Sequence, residues 1–170
     1  MLETMVDTQG QKAAKNGKII ENMLIPLFVG NGYHVIKYTD YKKAMPHFDA
    51  MPKLVIYQYP FDSIYPNRTG KTEFVIRNKI KNRELRVECK WQQGSGSVDE
   101  KIPYLYLNAV FAFPEKEIII VMDGGGFDKS AKPWLVQQCK NRWLLDNQPD
   151  KTIDVMTIAE FTAFFNKELA

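Results

Sequence analysis

Within Leu85-Arg86-Val87-Glu88-Cys89-Lys90-Trp91, an acid and an amine stand two places apart, at Glu88 and Lys90. On an extended strand, side chains two apart point the same way, so both share a face with Arg86. Leu85, Val87, Cys89 and Trp91 alternate with them and predict a buried opposite face. A carboxylate beside an ammonium on a rigid strand suits a bound metal ion and a phosphate. Upstream, Thr72-Glu73-Phe74-Val75-Ile76-Arg77 reads as a second strand, and Asn78 to Glu84 as a polar, basic connection. A hairpin of the two brings Glu73 towards Glu88 and Lys90. Alternating Glu and Lys is also what a solvated strand face carries, and cross-strand charge pairs are ordinary. Three residues alone do not separate these readings.

The elements that would hold such a hairpin follow from apolar spacing. From about Gln9 to Val29, Ala13, Ile20, Met23, Leu24, Leu27 and Phe28 recur at near-helical intervals, and Gly30-Asn31-Gly32 ends the helix. Glu21 stands at the edge of that stripe, where a solvated glutamate is the ordinary reading. Tyr33 to Tyr38 alternates like a first strand. Thr39 to Gly70 is punctuated by Pro46, Pro52, Pro60 and Pro66, with a short strand expected at Leu54 to Tyr59. Its interleaved aromatic and basic residues suit either base stacking with phosphate contact or a small side core. His34 and His47 have no neighbours at metal-ligand spacing.

After the hairpin, Gly94-Ser95-Gly96-Ser97 predicts a turn, with Ser97 and Glu100 as a capping box for a helix to about Phe113. Ile118-Ile119-Ile120-Val121 is an unbroken apolar run, the mark of a central strand covered on both faces. Asp123-Gly124-Gly125-Gly126 ends it as a tight exit. A helix from Ser130 to about Leu145, a strand at Ile153 to Met156 and a last helix capped by Thr157 and Glu160 complete the order. The expectation is an α/β protein with a mixed central sheet flanked by helices, in one domain over residues 1–170.

Bulk properties permit this without directing it. The chain has 170 residues, 45% hydrophobic and 25% charged, with a net charge of +3, which allows contact with a polyanion but does not demand it. No apolar run approaches a membrane span, so no membrane partner is expected. Cys89 and Cys139 lie inside apolar patterns without a zinc spacing, which favours buried thiols and a cytoplasmic setting.

The order of elements, with Glu73 and then Glu88-Cys89-Lys90 fifteen residues on, resembles the PD-(D/E)XK nuclease superfamily. Val87-Glu88-Cys89-Lys90-Trp91-Gln92-Gln93 and the strand ending Asp123-Gly124-Gly125-Gly126-Phe127 look like its bacterial and phage restriction-type members. The resemblance implies a restriction-endonuclease-like α-β-β-β-α-β core and a Mg2+-dependent endodeoxyribonuclease, with Mn2+ able to substitute. Metal-activated water would hydrolyse the phosphodiester bond, leaving a 5′-phosphate and a 3′-hydroxyl. The metal ligands it implies are Glu73, Glu88 and the backbone carbonyl of Cys89, with Glu21 as a further candidate. Lys90 would orient or deprotonate the water or, as the neighbouring carboxylates favour, stabilise the growing charge, and Gln92 would steady the scissile phosphate. Arg68, Lys71, Arg86 and Lys101 are the candidate substrate contacts. The partner would be duplex DNA, met by a homodimer; a junction or repair nuclease, or an inactive DNA-binding module of the same fold, are the alternatives. No proline precedes Glu73, and Pro60-Phe61-Asp62 leaves Asp62 as a rival first acid. Basic residues from Arg68 to Arg86 predict a positive field beside the acidic site.

Overall fold

The computed structural model describes the backbone of residues 9–93 and 98–170; the side chains of residues 9–18, of Glu21 and of Val98 lie outside the described residues. The chain runs α1 (Gln9–Gly30), β1 (His34–Lys37), α2 (Tyr38–Tyr41), α3 (Met45–Asp49), β2 (Lys53–Asp62), β3 (Thr69–Asn78) and β4 (Arg83–Trp91). It continues through α4 (Val98–Phe111), β5 (Glu117–Asp123), α5 (Ala131–Lys140), β6 (Thr152–Met156) and α6 (Ile158–Glu168). The six strands form one sheet in chain order, β1 to β6. β1 is parallel to β2, the run β2-β3-β4 is antiparallel, and β4, β5 and β6 are parallel. This is the mixed, helix-flanked α/β sheet expected from the sequence.

Alternation along the strands assigns each side chain to a layer. Val55, Phe74, Ile76, Leu85, Val87 and Cys89 form one core with Ile20, Leu24 and Phe28 of α1 and Phe161 and Phe165 of α6. On the other face, Ile118, Ile120 and Met122 of β5 pack against Ile102, Leu105, Tyr106, Ala109 and Val110 of α4 and Leu135 of α5. Residues 118–122 of β5 are buried throughout because helices cover both sides of that strand. Leu54 and Ile56 alternate with Val55 and therefore face the second side, under Tyr41 of α2. Thr157 and Glu160 form the expected capping box at the start of α6. The capping pair assigned to Ser97 lies outside the described residues.

Two stretches differ from the sequence expectation. The proline-punctuated segment holds two short helices and a full ten-residue β2, well beyond Tyr59. β2 can carry Pro60 because β1 ends opposite Tyr57, so the proline falls where the strand has an open edge. α5 stops at Lys140, and the chain turns through Arg142 and Leu144, both with positive φ.

The end of one ladder shapes the centre of the sheet. The β3–β4 ladder ends at Phe74–Val87, whereas β2 and β3 stay paired as far as Asp62–Thr69. β4 meanwhile stays paired with β5 to Trp91–Asp123. The sheet therefore forks, the β2–β3 hairpin leaving on one arm and β4–β5 on the other. Phe61 anchors the first arm edge-on to Phe113, their ring centroids 4.8 Å apart.

Candidate active site

Glu73 is the first residue of β3 past the last β3–β4 pair, and in continued register it would face Glu88. Its side chain enters the fork: Oε2 accepts a 2.8 Å hydrogen bond from the backbone N–H of Cys89. The carboxylate thus takes a donor that a continuing ladder would have paired. Opposite Glu73 on β2 stands Gln58, in the left-handed region at φ 53°, a local turn of the hairpin at the fork.

Glu88 and Lys90 lie on the α4 side of β4. The Lys90 ammonium donates to Glu88 Oε1, in a short contact, and to the Cys89 carbonyl at 3.2 Å. The second oxygen of Glu88 is buried with no hydrogen-bond partner. A buried carboxylate oxygen in that state is costly and calls for a cation. Glu73, Glu88 and Lys90 therefore converge at the fork, with the Cys89 carbonyl among them.

The electrostatics follow from this crowding. Burial, and then the Glu88 carboxylate, push the Glu73 carboxyl up to about 8, against the opposing pull of Lys90 and the Cys89 N–H. For Lys90, burial works against the charge, but Glu88 and Glu73 outweigh it and hold the amine above its ordinary value. Lys90 is therefore an ammonium at neutral pH, suited to stabilising negative charge and not to taking a proton.

A pH signature follows. Between pH 4.5, the ordinary value of the group, and about 8, the folded protein keeps a proton on Glu73 that the unfolded chain has released. Stability should therefore fall as pH rises through that window. Glu73→Gln removes this component, so in EDTA the variant should gain on the wild type from about pH 5 to about pH 8. Added Mg2+ should offset the loss in the wild type alone. Chemical denaturation across that range reads this directly, and a pH-independent gap between the two proteins would contradict it.

Of the other sequence candidates, Asp62 is set apart from this centre. Asp62 is exposed at the far end of β2, paired with Thr69, about 13 Å along the arm from the level of Glu73 at strand spacing. Gln92 lies just past β4; its amide donates to the Gly126 carbonyl at 2.7 Å and to Asp99 at 3.4 Å, while its Oε1 is buried without a partner. The Gly124-Gly125-Gly126 turn wraps that residue. A Cβ on Gly124, at φ 102°, would stand 2.2 Å from the Gln92 carbonyl. Glu21 belongs to α1 by backbone, and its side chain is outside the described residues. Arg68, Lys71 and Lys101 are exposed.

Arg86 requires a correction. It is 1% exposed and forms a buried two-pronged pair with Glu115, with a further bond to Thr72 Oγ1 at 3.2 Å. Its guanidinium also lies over the rings of Tyr59 and Phe113. The residue is a core tie between β4 and the departing β3 arm and cannot reach a substrate.

The positive field expected from the hairpin is corrected likewise. Arg77 pairs with Asp49 and Glu84, Arg83 with Glu117 and Glu168, and Lys79 caps the Asp49 carbonyl. These residues gather towards the turn end of the hairpin, which points away from the fork. Sequence reasoning missed Glu115 and Asn108. Asn108, a buried amide inside an apolar helix stripe, was the one with a legible signal.

Among the described residues, no group of three or more His, Cys, Asp or Glu side chains is placed to hold a metal. The fork offers two carboxylates and a main-chain carbonyl, all oxygen, beside an orphaned carboxylate atom. That set fits Mg2+, which prefers oxygen and keeps several waters or a substrate phosphate in its shell.

Residues 12–169 match the family model described as the PD-(D/E)XK nuclease superfamily domain. Neither the curated proteins nor the solved structures yield a match.

Proposed function

We propose, from the premise that this chain belongs to the PD-(D/E)XK nuclease superfamily, that it is a Mg2+-dependent DNA endonuclease of restriction type. The observation that carries the reading is the fork, where Glu73, Glu88 and Lys90 meet around a buried, unpartnered carboxylate oxygen.

Glu73, Glu88 and the Cys89 carbonyl are the groups that would hold the ion. When bound, the ion supplies positive charge to the phosphate and makes water acidic enough to attack it. Glu88 anchors the site through a carboxylate already fixed on a paired strand. Glu73, protonated up to about pH 8 without a cation, gives up its proton as it becomes a ligand. The Lys90 ammonium stays charged and stabilises the negative charge that grows on the phosphate. Lys90 also bonds the Cys89 carbonyl and the other Glu88 oxygen, so it must shift when an ion takes the carbonyl.

Duplex DNA as substrate, a cytoplasmic setting and action as a homodimer extend this reading. Among the described residues no helix is long and apolar enough to cross a membrane. Incubation of supercoiled plasmid with Mg2+ and with EDTA tests the proposal. Mg2+-dependent cutting into discrete bands is the expected result. A smear would remove the restriction assignment, and intact plasmid under both conditions would remove the nuclease.

A further inference from the structure

The loop between β2 and β3 carries a surface that the cleavage chemistry does not use. Tyr65, 51% exposed, lies almost parallel to Tyr104 of α4, with ring centroids 5.1 Å apart and planes 14° apart. The Arg68 guanidinium is 5.8 Å from the Tyr65 centroid and 5.4 Å from that of Tyr104. Those three distances make a nearly equilateral triangle, so Arg68 sits beside both rings and is not sandwiched between them. The outer face of Tyr65 is left open to solvent.

The platform is held in place. Buried Asn108 accepts from the Ile64 N–H at 3.0 Å and donates to the Tyr104 carbonyl at 2.9 Å, fastening the loop to α4. Within the loop, the Ser63 N–H reaches the Arg68 carbonyl at 2.8 Å. An aromatic face fixed in advance costs little ordering when a ligand lands on it. Its charge is also right: among the described residues, Arg68, Lys71 and Lys101 are exposed and have no acidic partner. Thr69, next to Arg68, is four residues from Glu73, about 13 Å along β3. That is a few nucleotides from the fork.

We infer that Tyr65, seated on Tyr104 and flanked by Arg68, is a base-stacking platform for an unpaired nucleotide, a second contact that tightens the hold on DNA wherever a single-stranded stretch adjoins the duplex. Every base has a π-face, so an exposed ring among cations grips single strands without reading sequence, whereas inside a duplex the base faces are already covered by their neighbours. The inference rests on the nuclease reading and adds a DNA contact to it.

Fluorescence anisotropy in EDTA, where no cutting occurs, tests it with one labelled duplex prepared blunt and with a tail at either end. Tyr65→Ala should weaken binding of a tailed duplex about five- to fiftyfold and leave the blunt duplex unchanged. Tyr65→Phe should retain wild-type binding to both. Thermal melting should match for all three proteins, since the ring is exposed. Equal losses on blunt and tailed DNA, or no loss on either, would overturn the platform and leave the nuclease reading standing. No binding of any duplex by the wild type would overturn both.

Discussion

Lys90→Ala should lose about 10²- to 10³-fold in cleavage rate while binding Mg2+ at least as tightly as the wild type. The loss comes from removing a charge placed for the transition state. The undiminished metal binding follows from the same contacts: the ammonium occupies the Cys89 carbonyl, an atom a metal would use, and it adds a positive charge beside the unpartnered second oxygen of Glu88. Calorimetric titration with Mg2+ in the absence of DNA, set beside plasmid cleavage by the same preparation, separates the two quantities. Parallel loss of binding and cleavage would mean that Lys90 merely supports the site. Lys90→Arg keeps the charge but changes its shape and reach, and it should recover only part of the rate.

Arg86→Met should lower the unfolding free energy by about 3–5 kcal/mol, the largest stability effect expected outside the apolar cores. Glu115 is itself only 6% exposed, so losing Arg86 leaves a carboxylate without its counter-charge. The tie to Thr72, next to Glu73, is lost as well, so the spread of the fork should loosen. The double variant Arg86→Met/Glu115→Leu should regain much of the stability, because removing both charges is far less costly than stranding one. Denaturant midpoints for the two single variants and the double variant close the cycle. A loss below about 1 kcal/mol for Arg86→Met would mean that the pair behaves as a solvated one. Metal affinity of the double variant adds a second readout: a weakened site in a restored fold would identify Arg86 as a positioning residue for Glu73.

Local pattern carried much of the fold. Alternation from Leu85 to Trp91 assigned the faces of β4, the unbroken apolar run marked β5 as central, and Thr157 with Glu160 marked the start of α6. These signals depend on neighbours within a few residues, which is the range a pattern reports. What escaped depends on partners far along the chain. Arg86 reads as one more exposed charge until Glu115, 29 residues on, is seen to bury it. Arg77 and Arg83 read as a positive field until Asp49, Glu84, Glu117 and Glu168 are seen to neutralise them. The fork was not legible either, since it depends on where one ladder stops and its neighbours do not. Proximity of Glu73 to Glu88 was readable from the hairpin; the contact of Glu73 with the Cys89 N–H was not.

The account stands on a divalent ion held by Glu88 at the fork, and plasmid cleavage in Mg2+ by wild type and Glu88→Gln is its most direct measurement. The substitution preserves size and removes one charge from a strand paired on its β5 side. The wild type should cut only with a divalent ion present, and the variant should be slower by about a thousandfold or more while still folded, its melting lowered by the loss of the Lys90 partner. Cutting by Glu88→Gln at the wild-type rate, or wild-type cutting that persists in EDTA, would contradict the account.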